Sequence, residues 1–155
     1  MSVIRIAQFF NLTPTRGTPH LYQNYFVNTT KAYGGQNYSF APFSAEGTTA
    51  SLGGENQSMR VLFPNNETVL RLVEASNYNY LSALELTTAW INAADQIIGS
   101  PITDYYTGIG AAYSDTTVEL RFRSAIDSVG SSFPTRTLTR QSVGPLPLNS
   151  ELYLR

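Results

Sequence analysis

One histidine and eleven side-chain carboxylates are the groups of this chain best suited to acid–base or metal chemistry. A general base or a metal site built on His20 needs partner groups held at fixed distances, and the sequence marks none; beside Pro19 at the start of a strand-like run, His20 is expected to face solvent. Asp95, Asp104, Asp115 and Asp127 are the carboxylates that could gather around a hard cation, but their spacing follows no ligand loop. Asp115 and Asp127 also stand where turns favour aspartate. There is no cysteine, which removes thiolate zinc, disulfides and cysteine nucleophiles together. The "GIG" of residues 108–110 lacks the third glycine and following helix of a dinucleotide fingerprint, and no Gly-Lys-Ser/Thr phosphate loop occurs. The expectation is a protein that is not an enzyme and carries no cofactor and no metal.

Binding chemistry is better supplied. Tyr33, Tyr38, Tyr78 and Tyr80 could stack on sugar rings, although "NYNY" after a helix is equally a loop closing on a core. Nine of the ten basic residues are arginine, and Arg121, Arg123, Arg136, Arg140 and Arg155 fall after residue 120. The planar guanidinium fork suits interfacial carboxylates better than an ammonium does, and it is less costly to desolvate. Candidate subunit-interface residues are therefore Arg121, Arg123, Arg136 and Arg140, with Leu146, Pro147, Leu152 and Tyr153 of the terminal segment. The sequons at Asn11, Asn28, Asn37, Asn56 and Asn66 follow from abundant Asn, Ser and Thr.

Short runs rich in β-branched and aromatic residues, separated by turn residues, must position these groups. "IRIAQFFNLT" (4–13) and "HLYQNYFVN" (20–28) read as a strand pair joined by "PTRGTP". In "TKAYGGQNYSFAPF" Gly34 and Gly35 supply a turn with positive φ, and Tyr38 and Phe40 share a strand face. Those rings, with Phe43, are expected in a core or a subunit seam. "SMRVLF" alternates with Met59, Val61 and Phe63 inward. "PNNETVLRLVEAS" breaks the period: a cap at Asn65 or Asn66, Glu67 in the first turn and Val69, Leu70 and Val73 on one side predict one short helix over about 66–75.

Residues 82–91 fit a strand by the alternation of Leu84, Leu86, Thr88 and Trp90, while Leu84, Ile91, Ala94 and Ile98 could share a helix face. We read 82–91 as strand. "TDYYTGIGAAYS" and "TTVELRFRSAI" make a further antiparallel pair across "YSDT", with Val118, Leu120 and Phe122 inward and Glu119, Arg121 and Arg123 outward. The fold class is mainly β, an antiparallel β-sandwich or partly closed barrel with one short helix. Residues 1–129 form the core module and 130–155 an extended C-terminal arm of the same domain.

A chain of 155 residues is most simply one domain, and a net charge of -1 with 14% charged residues gives no electrostatic footprint for nucleic acid or an anionic membrane. The start shows no basic leader followed by a long apolar stretch, and no window reaches membrane-spanning length, so a soluble, unprocessed protein is expected. Ten tyrosines and eight phenylalanines on so weakly charged a chain point to interfaces.

The succession "YFVNTTKAYGGQNYSFAPFS", "ASLGGENQSMRVLFPNN", the short helix and "SDTTVELRFRSAIDSVGSSFPTRTLTRQSVGPLP" resembles the N-terminal β-rich module of tailed-phage tail-hub proteins, the group typified by the minor tail protein L of phage lambda. The likeness runs over roughly residues 4–147 and rests on Gly35 with Tyr38, Met59 to Asn65, and Leu120 with Ser124. Larger members continue into a cysteine-bearing segment associated with an iron–sulfur cluster; this chain has no cysteine, so the cluster is not carried over. The resemblance implies a structural subunit of a tail tip or baseplate, a homo-oligomeric ring around the tail axis, a trimer rather than a hexamer. It also implies contacts with neighbouring tail proteins, a place in the virion and assembly in the host cytoplasm. A small carbohydrate-binding β-sandwich for host attachment is the alternative.

Overall fold

The computed structural model describes residues 4–47 and 58–125. Nine strands are present among them: β1 (Arg5–Thr13), β2 (His20–Gln23), β3 (Lys31–Tyr33), β4 (Gln36–Phe40), β5 (Ser44–Glu46), β6 (Ser58–Pro64), β7 (Tyr80–Ile91), β8 (Ile97–Tyr113) and β9 (Thr117–Ser124), with one helix, α1 (Glu67–Ala75), between β6 and β7. They form a single sheet in the order β3-β4-β2-β1-β7-β8-β9-β6-β5. Every pairing is antiparallel except that of β2 with β4. The fold is thus mainly β with one short helix, and the sheet does not close into a barrel. It does curl. β1 and β6 lie four strands apart, roughly 19 Å on a flat sheet, yet the rings of Phe10 and Phe63 meet at 5.4 Å between centroids.

Curling lets the sheet bury both of its faces near β1. On the concave face, Phe10 and Leu12 of β1, Leu84 and Leu86 of β7, Val118, Leu120 and Phe122 of β9, and Met59, Val61 and Phe63 of β6 make the main core, closed by Val69, Leu72 and Val73 of α1. On the convex face, Ala7, Phe9, Ala89 and Ile91 make a second core under Tyr38. Tyr33 stacks on Phe9 at 4.5 Å, and Tyr38 meets the same ring edge-on at 5.1 Å. Adjacent residues Phe9 and Phe10 point to opposite sides and are both buried. The same switch occurs in β7, where burial passes from Leu84 and Leu86 to Thr87, Ala89 and Ile91.

The hairpin of β3 and β4 turns on Gly34 and Gly35 at φ 57° and 78°, the signs a two-residue type I′ turn demands, and pairs Tyr33 with Gln36. Tyr38 and Phe43 are buried and Phe40 is half-buried, so this stretch is scaffold. The expected strand pair over 4–13 and 20–28 forms, but its second member stops at Gln23. There the buried Gln23 side chain takes over the backbone: Nε2 donates to the carbonyls of Phe26 and Thr29, and Oε1 accepts from the N–H groups of Tyr25 and Phe26. A side chain that satisfies four turn groups replaces the ladder.

Helix α1 starts where Asn66 Oδ1 accepts from the Val69 N–H at 3.0 Å. Its buried face is Val69, Leu72 and Val73; Leu70, expected on that face, is exposed because it stands about 100° around the helix from Val69. The helix closes with Asn77 N–H on the Glu74 carbonyl and Tyr78 N–H on that of Val73, a Schellman pair with left-handed Asn77. His20, expected in solvent, is half-buried in a groove with Tyr22, Glu67, Thr68, Arg71, Leu72 and Ala75, and burial lowers its imidazole pKa. The arm 130–155, with Arg136, Arg140, Leu146, Pro147, Leu152 and Tyr153, lies outside the described residues, as does Asp127.

Candidate interaction surface

The convex face of β9, β6 and β5 is where the two structurally described interface candidates stand. Neither hydrophobic core contains a residue from it. Alternation forces this: burying Val118, Leu120 and Phe122 turns Glu119, Arg121 and Arg123 outward, and burying Met59, Val61 and Phe63 turns Ser58, Arg60 and Leu62 outward.

Strand register then sets these side chains in rows across the sheet. Glu46 of β5 pairs with Arg60 of β6, which pairs with Arg121 of β9, which pairs with Gly110 of β8. The next row carries Ser58, Arg123 and Thr107. Two arginines directly opposite one another would repel, and each is matched by a carboxylate. Arg60 Nη2 lies 2.7 Å from Glu46 Oε2, and Arg121 Nε lies 2.6 Å from Glu119 Oε1. Both pairs are at least partly in solvent, so each contributes less than about 1 kcal/mol to folding. Their effect is to hold the forks in place. Arg123 has no carboxylate within ion-pair distance among the described residues. Ile109 adds an apolar edge to a groove of about 480 Å³ that also touches Gly47, Met59 and the four charged residues, and Tyr105 is exposed further along β8. Arginine, tyrosine and isoleucine on an open sheet face are what a protein partner can desolvate.

The loop from α1 into β7 is built with strain. Asn77, Tyr78 and Asn79 have φ of 51°, 55° and 59°, and Leu81 follows at 55°. For tyrosine and leucine the left-handed region costs about 1–2 kcal/mol each. Buried Asn79 holds the loop: its Nδ2 donates to the carbonyls of Gly110 at 3.2 Å and Arg121 at 2.9 Å, bridging β8 and β9. The register of β8 against β9 shifts between Gly108 and Gly110, and that of β7 against β8 between Tyr80 and Ala83. Gly108 has to be glycine, since a Cβ there would sit 2.2 Å from the Asn79 carbonyl oxygen. So anchored, the loop presents Tyr78, Tyr80 and Leu81 to solvent; Tyr78 meets Tyr113 edge-on at 6.5 Å. Tyr80 and Leu81 border a groove of about 460 Å³ with Pro14, Thr15 and Arg16.

Of the tyrosines weighed for sugar stacking, Tyr38 and Tyr33 are taken up by Phe9, which leaves Tyr78 and Tyr80. Asp95 sits in the β7–β8 turn, 3.5 Å from Arg5, while Asp104 lies within β8; no group of three potential metal ligands occurs among the described residues. Arg60, Glu46 and Ile109 were not singled out from sequence. The outward position of Arg60 was legible in the alternation of "SMRVLF"; its neighbours depend on register, which is not. No protein-family model matches this chain, and no curated protein matches it.

Proposed function

We propose that this chain is a non-enzymatic structural subunit of a bacteriophage tail tip or baseplate hub. Copies form a ring around the tail axis, a trimer rather than a hexamer, and join the tail tube to the hub or spike below. The subunit assembles in the host cytoplasm and resides in the virion. The observation that supports this reading best is the open convex face, on which Arg60, Arg121 and Arg123 stand in register on a rigid ladder with no element of the described chain packed over them. Short edge strands β3 and β5 fit the same reading, since three-residue edges limit uncontrolled pairing while a ring forms through faces. The test is a charge reversal, Arg121→Glu with Arg123→Glu. Both residues are exposed, so the variant keeps its circular dichroism and melting temperature while light scattering shows loss of the oligomer. An oligomer of unchanged mass refutes this face as the seam.

Exposed Tyr78 and Tyr80 on the anchored loop favour a second reading, a carbohydrate-binding module for host attachment. It requires that Tyr78→Ala or Tyr80→Ala abolish retention on a glycan array while oligomerisation survives.

A further inference from the structure

The concave face is covered only in part. Beyond Leu86 the core ends, and past Gln8, Thr88 and Asp104 the same face of three adjacent strands turns apolar and open to solvent. Ile6 of β1 pairs with Trp90 of β7, which pairs with Ile98 of β8; one row inward, Gln8 pairs with Thr88 and Thr88 with Ile102. Ile6 is 59% exposed, Ile98 37% and Ile102 52%, and Ile4, preceding β1, is 60% exposed. Trp90 is half-buried in the middle. A contiguous apolar strip on a rigid sheet marks a surface that something covers.

Three features identify the cover. First, β9 ends at the rim of this strip: Ser124 pairs with Tyr106, and Ala125 N–H donates to the Tyr105 carbonyl at 3.1 Å. Second, β9 runs antiparallel to β8, so a chain continuing in its direction would pass from Tyr105 toward Ile98; their partners on β7, Glu85 and Trp90, stand five residues or roughly 17 Å apart, because β8 bulges between Ile102 and Ile98. Third, the residues that follow, "IDSVGSSF" (126–133), carry Ile126, Val129 and Phe133 and a single charge, at Asp127. The Ile97–Asp104 part of β8 has no second partner strand among the described residues, and Pro101 within it lacks an N–H, so a cover here is held by side chains more than by a continued ladder.

We propose that the strip of Ile6, Trp90, Ile98 and Ile102 is the seat of residues 126–133 of the same chain. This does not rest on the tail-hub reading.

Trp90 is the only tryptophan and the chain has no cysteine, so both tests act on the full chain without background. In the first, acrylamide quenching of Trp90 is compared between the native chain and Val129→Asp with Phe133→Asp. The expected result is at least a twofold rise in the quenching constant in the variant, with circular dichroism unchanged and with native protection constant on dilution. Equal quenching in the two overturns the proposal, and so does protection that falls on dilution, because a neighbouring copy would then be the cover. In the second, Ile102→Cys with Val129→Cys is treated with a short bis-maleimide. A monomer carrying one linker with both thiols consumed is expected; a cross-linked dimer, or a monomer carrying two singly attached linkers, overturns the proposal even if the aspartate variant fails to fold.

Discussion

Gly108→Ala is a small change with a large expected cost. The new Cβ would lie 2.2 Å from the Asn79 carbonyl oxygen and 2.3 Å from its Oδ1, inside the 3.0 Å that real Cβ atoms keep. Relief requires Asn79 to withdraw, and Asn79 is fully buried with Nδ2 on the carbonyls of Gly110 and Arg121. Losing two such bonds costs about 1 kcal/mol each, and residual overpacking adds about 1–3 kcal/mol. Against this, alanine restricts the unfolded chain and returns about 0.4–1 kcal/mol. The net is a destabilisation of about 3 kcal/mol, large beside the roughly 5–15 kcal/mol that holds most domains folded. In urea, with a slope of about 2 kcal/mol per molar, the midpoint should fall by about 1.5 M. Trp90 fluorescence and far-ultraviolet circular dichroism should report the same transition. Asn79→Gly removes the side-chain half of the clash, so the two substitutions should couple by about 1 kcal/mol or more in a double-mutant cycle. A Gly108→Ala protein within 0.5 kcal/mol of the native one would refute the claim that Asn79 pins the loop across β8 and β9.

Leu81→Gly should stabilise by about 0.5–1 kcal/mol, since Leu81 is exposed and left-handed, with a urea titration as the check. Asn66→Ala should cost about 1 kcal/mol through loss of the helix cap, read as a lower midpoint with the same fold. Burial lowers the His20 pKa, so at pH values between its folded and unfolded pKa the unfolded chain binds more protons; stability should be lost as pH falls through the ordinary histidine value near 6.5, and His20→Gln should remove that part of the acid sensitivity. Burial first, with Asp104 adding to it at Tyr106 and Glu85 and Tyr33 at Tyr38, raises the phenol pKa of Tyr22, Tyr38 and Tyr106. These groups favour the fold while neutral, so stability should decline as pH rises above about 10, and denaturant midpoints across that range check the sign.

Local rules carried the reading of the fold a long way. Alternation placed Met59, Val61, Phe63, Val118, Leu120 and Phe122 inward, and all six are buried. The glycine pair at 34 and 35 announced its hairpin, and 82–91 is strand. The misses share a cause: non-local information. The expected strand over 20–28 ended at Gln23 because one buried side chain satisfied a turn, which composition does not reveal. Phe9 and Phe10 in succession give no period, because a sheet that curls buries both faces of β1. At the candidate surface, the outward direction of Arg121 and Arg123 was legible; that Arg60 and Glu46 stand beside them was not, because β6 and β9 meet across a sequence gap of more than fifty residues, roughly the reach at which register is set by the whole sheet.

The central proposal is that copies of this chain join through the convex face of β9, β6 and β5. Light scattering of the full chain across a concentration series, with imaging of any large species, measures this most directly. A closed trimer or ring that the Arg121→Glu and Arg123→Glu double variant cannot form is the predicted result. A monomer at every concentration that also leaves phage-tail components unbound, or a ring indifferent to that charge reversal, would contradict it.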